Sequence, residues 1–133
     1  MRELTVAELD LSGLIKKSET VMWGNACAEP LTLTEALVEQ RKSLDSVIIF
    51  MASAFSNTFS PEHAEDLTFI STGGVGTAGV LTKIGACDVI PCHVSQVAGY
   101  IETGKIPCDV VFVQLSPPND IAWELRVTLY TLR

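Results

Sequence analysis

The chain has 133 residues, of which 47% are hydrophobic and 19% charged, and its formal net charge is −7. That composition suits a single globular domain rather than a disordered chain. An acidic surface on which no basic run exceeds a pair such as Lys16-Lys17 repels phosphate backbones and anionic lipid, so neither nucleic acid nor membrane is expected as a partner. The longest strongly apolar stretch, Val47 to Phe55, is too short to cross a bilayer. No secretory signal is visible at Met1-Arg2-Glu3-Leu4, so a cytoplasmic location is expected. The cysteines Cys27, Cys87, Cys92 and Cys108 follow no disulfide-scaffold pattern and read as reduced thiols.

In chain order, Thr5-Val6-Ala7-Glu8 fits a capping box and predicts a first helix that turns Leu9 and Leu14 inward, although Gly13 weakens it. A strand is expected around Thr20 to Trp23, then a turn through Gly24 to Pro30. A second box, Thr32-Leu33-Thr34-Glu35, opens a helix carrying Leu33, Ala36, Leu37 and Leu44. Ser46 to Met51 is a continuous β-branched and aromatic run, the pattern of a buried strand. Ser60-Pro61-Glu62 starts a short helix on which His63 reads as a solvated face residue.

Leu67 to Ser71 predicts a strand, Val75 to Ile84 a short helix and Cys87 to Ile90 a short strand. Ser95 to Thr103 reads as a helix with Ser95 as its N-cap and Gly104 ending it. Asp109 to Leu115 is a second buried strand, halted by Ser116-Pro117-Pro118. Ile121 to Leu132 is β-rich and predicts one or two terminal strands. Strands alternating with helices predict an α/β domain with a mostly parallel central sheet, spanning residues 1–133.

Ligands of such sheets collect where strands pass into loops at their carboxyl ends. Gly24 to Pro30, Gly73 to Gly76 and Gln114 to Pro118 occupy such positions, and their convergence is expected. Gly74-Val75-Gly76-Thr77-Ala78-Gly79 is a literal G-x-G-x-x-G between a strand and a helix. A dinucleotide site also requires a longer helix and an acidic residue closing the next strand, where this chain has Pro91. A tight turn with positive φ and a backbone-amide site for another anion are the other readings. Cys87, Cys92, His93 and Cys108 lack a Cys-x-x-Cys pair, so no metal site is expected. His93 and Ser95 read as base and nucleophile or, more simply, as a polar loop residue and a cap. Glu29 before Pro30 is either a ligand-facing carboxylate or an exposed loop acid.

Several segments together resemble a known family. Ile90-Pro91-Cys92-His93-Val94-Ser95, Ile101-Glu102-Thr103-Gly104-Lys105-Ile106-Pro107-Cys108-Asp109-Val110 and Gln114-Leu115-Ser116-Pro117-Pro118 are similar to ordered motifs of the acetyl-CoA hydrolase and 4-hydroxybutyrate CoA-transferase family. Gly24, Glu29-Pro30, Leu33 and Ala36-Leu37 resemble its G-x-x-x-x-E-P-x-x-L-x-x-A-L stretch, and the likeness covers roughly positions 10 to 118. The resemblance implies the CoA-transferase superfamily fold, with an active site between two such halves. It implies a glutamate that attacks the thioester of acyl-CoA, giving an acyl-glutamyl anhydride and then a glutamyl-CoA thioester. That glutamate belongs to the family's carboxyl-terminal half, and no residue here maps onto it, Glu29 included.

After Pro118 the chain reads Asn119-Asp120-Ile121-Ala122-Trp123 where the family has an acidic residue and a G-Y/F-x-S-L-G segment. The chain therefore resembles an amino-terminal half with a replacement tail, whose alternating Trp123, Leu125, Val127 and Leu129 suit a sheet edge. Coenzyme A or acyl-CoA is the implied ligand, with no covalent cofactor, and Gly24, Glu29, Pro30, Gly73, Gly74, Gly76, His93, Ser95, Gln114, Ser116 and Pro117 are the candidate binding residues. No residue is assigned a catalytic role. Such a half is expected to self-associate or to bind a separate chain supplying the rest. A non-catalytic oligomeric module, with or without a small ligand, is the alternative.

Overall fold

Short runs of β-branched and aromatic residues form the centre of the molecule, because a parallel strand is buried on both faces and needs apolar side chains on each. In the computed structural model, which describes residues 4–114 and 128–131, these runs are β1 (Thr20–Trp23), β2 (Ile48–Met51), β3 (Thr68–Ser71), β4 (Cys87–Val89) and β5 (Val110–Val113). The sheet order is β4-β3-β2-β1-β5-β6, with the first five strands mutually parallel. The sixth, β6 (Thr128–Thr131), lies antiparallel against β5 at the edge, pairing Val110 with Thr131 and Val113 with Thr128. The fold is α/β, as expected.

The register sorts side chains onto two unequal faces. Val21 pairs with Ile49 and with Val110, and Ile49 pairs with Phe69, so these side chains share one face. All are buried, and they pack with Leu33, Ala36 and Leu37 of helix α1 (Leu31–Gln40) and Ala78 and Leu81 of helix α2 (Thr77–Lys83). Connections from β1 through β4 step steadily in one direction, and right-handed crossovers keep their helices on that face. The return from β4 to β5 runs the other way, so helix α3 (Val97–Glu102) lies on the opposite face. There Phe50 is buried, but Met22, Ile48, Ile70 and Val111 are only half-buried and Thr68 and Asp88 are exposed.

Several local expectations need correction. The segment after Thr5 is a single 3₁₀ turn, Val6–Glu8, not a helix. The Glu8 carboxylate takes both the Thr5 amide and hydroxyl, Asp10 takes those of Ser12, and these local bonds compete with helix continuation. Leu11 and Ile15 are the buried anchors of this segment; Leu9 and Leu14 are only half-buried. Gln40 at the end of α1 fixes the segment by bonding Leu11 N and Leu9 O. The box at Thr32 is unused: α1 begins two residues earlier than that cap implies, with Pro30 as its cap and Thr34 turned to Glu29. Pro61–Glu65 is 3₁₀, and His63 is buried, because Ser60 N donates to its Nδ1 and draws the ring inward. Ser95 lies inside the 3₁₀ turn Val94–Gln96, capped instead by His93. Trp123, Leu125 and Val127 lie outside the described residues.

Candidate functional site

The strand order reverses between β1 and β5, and in such sheets the carboxyl ends of the strands are the usual ligand side. Three loops leaving these ends are laced together by backbone. Ala26 bridges Ala54 and Ala54 bridges Gly76, both in parallel fashion, so the β1, β2 and β3 loops form a small second layer above the strands. Ala26 N donates to Ser53 O at 2.9 Å and Thr77 N to Ala54 O at 2.8 Å. Trp23 stacks on Phe59 at 5.6 Å, and Phe59 meets Phe69 edge-on at 5.7 Å, which anchors the end of the β2 loop to β1 and β3.

Glu29 lies within this layer and is 7% exposed, so the exposed-acid reading is corrected. Its Oε1 accepts from Thr34 Oγ1 at 2.8 Å and its Oε2 from Ser56 Oγ at 2.5 Å. A buried carboxylate requires such partners, and both of its oxygens are answered by hydroxyls. Pro30 is buried beside it and starts α1. Ser56 in turn accepts at its carbonyl from Thr77 Oγ1, so a continuous chain links Thr34, Glu29, Ser56 and Thr77.

The glycine pattern serves the packing of this layer. Gly76 has φ of +64°, and a Cβ there would stand 1.8 Å from Ala54 O, so the bridge to Ala54 requires glycine. A Cβ at Gly79 would come within 2.6 Å of Gly74 O, which accounts for the second half of the pattern. The amides of Val75, Thr77 and Gly79 all donate inside the protein. Gly73 is half-buried and donates its amide to Ser71 Oγ, while Gly74 is exposed. These contacts make the run a backbone-packing device, the tight-turn reading among those the sequence allows.

Gly24, Glu29, Pro30, Gly73, Gly74 and Gly76 are thus brought to one mouth by adjacent strand ends. Gln114 leaves β5 beside β1 and is exposed at the same sheet edge. His93 and Ser95 follow β4, an edge strand that lies three places, or about 14 Å, from β1 along the sheet. They are exposed and bond each other, Nδ1 to Oγ at 2.8 Å, within one turn. Ser116 and Pro117 lie outside the described residues. Sequence reasoning missed Ser56, Thr34 and Thr77. The signal for Ser56 was present, since the β2 loop follows the most legible strand and strand-end position alone nominates it.

An open groove of about 360 Å³ lies along this layer, with Ser56, Gly76 and Thr77 on one side and Phe55 and Val80 exposed at its rim. The loops from Gly24 to Pro30, Ala52 to Ser60 and Gly73 to Thr77 carry no lysine or arginine. Among the described residues no group of three or more His, Cys, Asp and Glu side chains could hold a metal ion. No helix among them is long and apolar enough to cross a membrane. Burial raises the thiols of Cys87 and Cys108 above their ordinary range, as for packing cysteines.

A comparison with curated proteins finds no match. Residues 3–122 match the acetyl-CoA hydrolase/transferase N-terminal domain, extending the likeness past Pro118, where the motifs alone ended it. With a parallel sheet, its strand-end loops joined in one mouth, and a match over nearly the whole sequence, the chain belongs to the acetyl-CoA hydrolase/transferase N-terminal domain family.

Proposed function

We propose that this chain supplies the amino-terminal part of an acyl-CoA site, binding acyl-CoA or a short carboxylic acid, and that turnover requires a completing partner. The observation that carries this reading is the lacing of three strand-end loops around buried Glu29, in a member of this family. The partner's glutamate would attack the thioester carbonyl, forming an acyl-glutamyl anhydride and releasing CoA thiolate. The thiolate would then attack the glutamyl carbonyl, expelling the carboxylate and leaving glutamyl-CoA. A second acid, or water, would complete the cycle.

Within this scheme Glu29 is a positioning residue. Both its oxygens are engaged by Thr34 and Ser56, so it fixes the β2 loop and does not serve as the nucleophile. The half-covered sheet face supports the need for a partner, because among the described residues α3 is the only α-helix placed on it. The test is CoA exchange between acetyl-CoA and short-chain acids, measured on the purified chain alone and with a carboxyl-terminal half of the family. Activity is expected only in the mixture. Robust turnover by the chain alone, abolished by Glu29→Ala or His93→Ala, would overturn the proposal.

A further inference from the structure

The Ala52 to Ser60 loop ends against a buried imidazole that the proposed chemistry does not use. Ser60 N donates to His63 Nδ1 at 3.2 Å, which requires a lone pair on Nδ1 and places the ring proton on Nε2. The turn that carries His63, Pro61–Glu65, is 3₁₀ and too short to hold itself, so its ends decide whether it stays in place. At the far end Leu67 N donates to His63 O at 2.9 Å, leading directly into β3. At the near end stands the Ser60 bond, one residue after Phe59, whose ring stacks on Trp23. The rest of the loop is tied by Ala26 N to Ser53 O, Thr77 N to Ala54 O and Ser56 Oγ to Glu29.

We propose that His63 is a proton-operated latch: a proton taken at Nδ1 ends the bond from Ser60 N, frees the ring from its pocket and releases the Ala52 to Ser60 loop while the sheet stays folded. A protonated Nδ1 is a donor facing a donor, and Ser60 Oγ, 3.5 Å away, is too distant to accept in its place. The charged groups acting on the ring are Arg41, from the turn after α1, and Glu62 and Asp66 beside it. Arg41 is pinned, with Nη1 donating to Val38 O at 2.8 Å and Nε 3.0 Å from Asp66 Oδ2, so it repels a second cation while Asp66 is already committed to it. Glu62 Oε1 lies 3.7 Å from Nε2, but its side chain is 78% exposed and screened by water. Burial first, and Arg41 second, therefore hold the seated ring below its ordinary pKa. Swung out it titrates near 6.5, so opening takes up a proton. The latch is fully closed above about pH 6.5 and weakens by up to about tenfold per unit below it, until the pH reaches the seated ring's depressed value. It acts on the loop whatever ligand the mouth takes, and so does not rest on the proposed function.

The test is amide hydrogen exchange on the full chain between about pH 7.5 and 5.5, expressed as protection relative to the intrinsic rate at each pH. The amides of Ala26, Ser60 and Thr77 are expected to lose protection together, by up to about tenfold per pH unit. Those of Ile49 in β2 and Ile70 in β3 should stay at least about a hundredfold better protected, because they open only with the sheet. His63→Gln keeps an acceptor for Ser60 N and removes the titration, so the three loop amides should then hold their protection across the range. Nitrogen–proton correlation of the imidazole in the unmodified chain, which needs no variant, should place the ring proton on Nε2 above about pH 7.5. A ring proton on Nδ1, loop amides indifferent to pH, loop and sheet amides exchanging at one common rate, or the same pH dependence surviving in His63→Gln would each overturn the proposal.

Discussion

Burying a carboxylate in a loop is costly unless both its oxygens find donors, and Glu29, just before α1, meets that condition with two hydroxyls from separate segments. Replacing it with alanine strands Thr34 and Ser56 and unties α1 from the β2 loop. Glu29→Ala is expected to destabilise the fold by about 2 kcal/mol, and Glu29→Gln, which keeps one acceptor, by about half as much. Urea unfolding followed by circular dichroism measures both; equal midpoints for the two variants would contradict this account. His63 contributes at a different pH. Burial, then the neighbouring Arg41 guanidinium, holds its imidazole below its ordinary pKa, against the opposing pull of Glu62 and Asp66. The unfolded chain therefore takes up a proton near pH 6.5 while the folded one does not. His63's contribution is complete above about pH 6.5 and is lost as pH falls toward its depressed folded value. The lowered carboxylates of Glu8, Asp10 and Asp45 act only in more acidic solution. Thermal midpoints should fall between about pH 7 and pH 5, and less steeply in His63→Gln.

At the scale of elements, strands were legible and helical starts only in part, since Ser60 and Pro61 do open a helical segment, as 3₁₀, while the starts at Thr32 and Ser95 lie elsewhere. Ser46 to Met51 and Asp109 to Leu115 announce themselves because a strand covered on both faces needs an unbroken apolar run, and the observed β2 and β5 lie within those limits. Capping boxes are local patterns that do not fix helix length: the box at Thr5 forms but closes only one 3₁₀ turn, and the one at Thr32 is bypassed by another local bond. Glu8 closes a single turn on Thr5, while Thr34 reaches back to Glu29. The convergence of Gly24 to Pro30 with Gly73 to Gly76 follows from strand-end topology. The Ala52 to Ser60 loop between them has no glycine signature and was passed over, although it supplies Ser56. What holds that loop is aromatic: Phe59 is 3% exposed and touches Trp23 and Phe69. Phe59→Ala is expected to cost about 3–4 kcal/mol and to release the loop before the sheet. Limited proteolysis should then cleave first within Ala52 to Ser60; first cleavage elsewhere would show that the loop does not depend on this anchor.

The whole molecule is asymmetric across its sheet, and that asymmetry bears on association. One face is sealed by α1, α2 and the amino-terminal segment, while the other leaves Met22, Ile48, Ile70 and Val111 half-buried among the described residues. A second copy of the chain lacks the attacking glutamate and does not complete the proposed site, but it is the molecule expected to cover this face in purified protein. Apolar contact must then overcome the repulsion between two acidic chains, each of net charge −7. Screening weakens that repulsion while leaving apolar burial intact, so association should strengthen as salt rises. Sedimentation velocity across a salt series is expected to show a dimer that tightens with ionic strength. Ile70→Lys, at a half-buried position on the open face, should shift the chain toward monomer while its circular dichroism stays unchanged. If Ile70→Lys dimerises as well as the unmodified chain, the interface lies elsewhere. If the unmodified chain remains monomeric at every salt concentration, self-association is excluded under those conditions, and the completing half becomes the partner to test on that face.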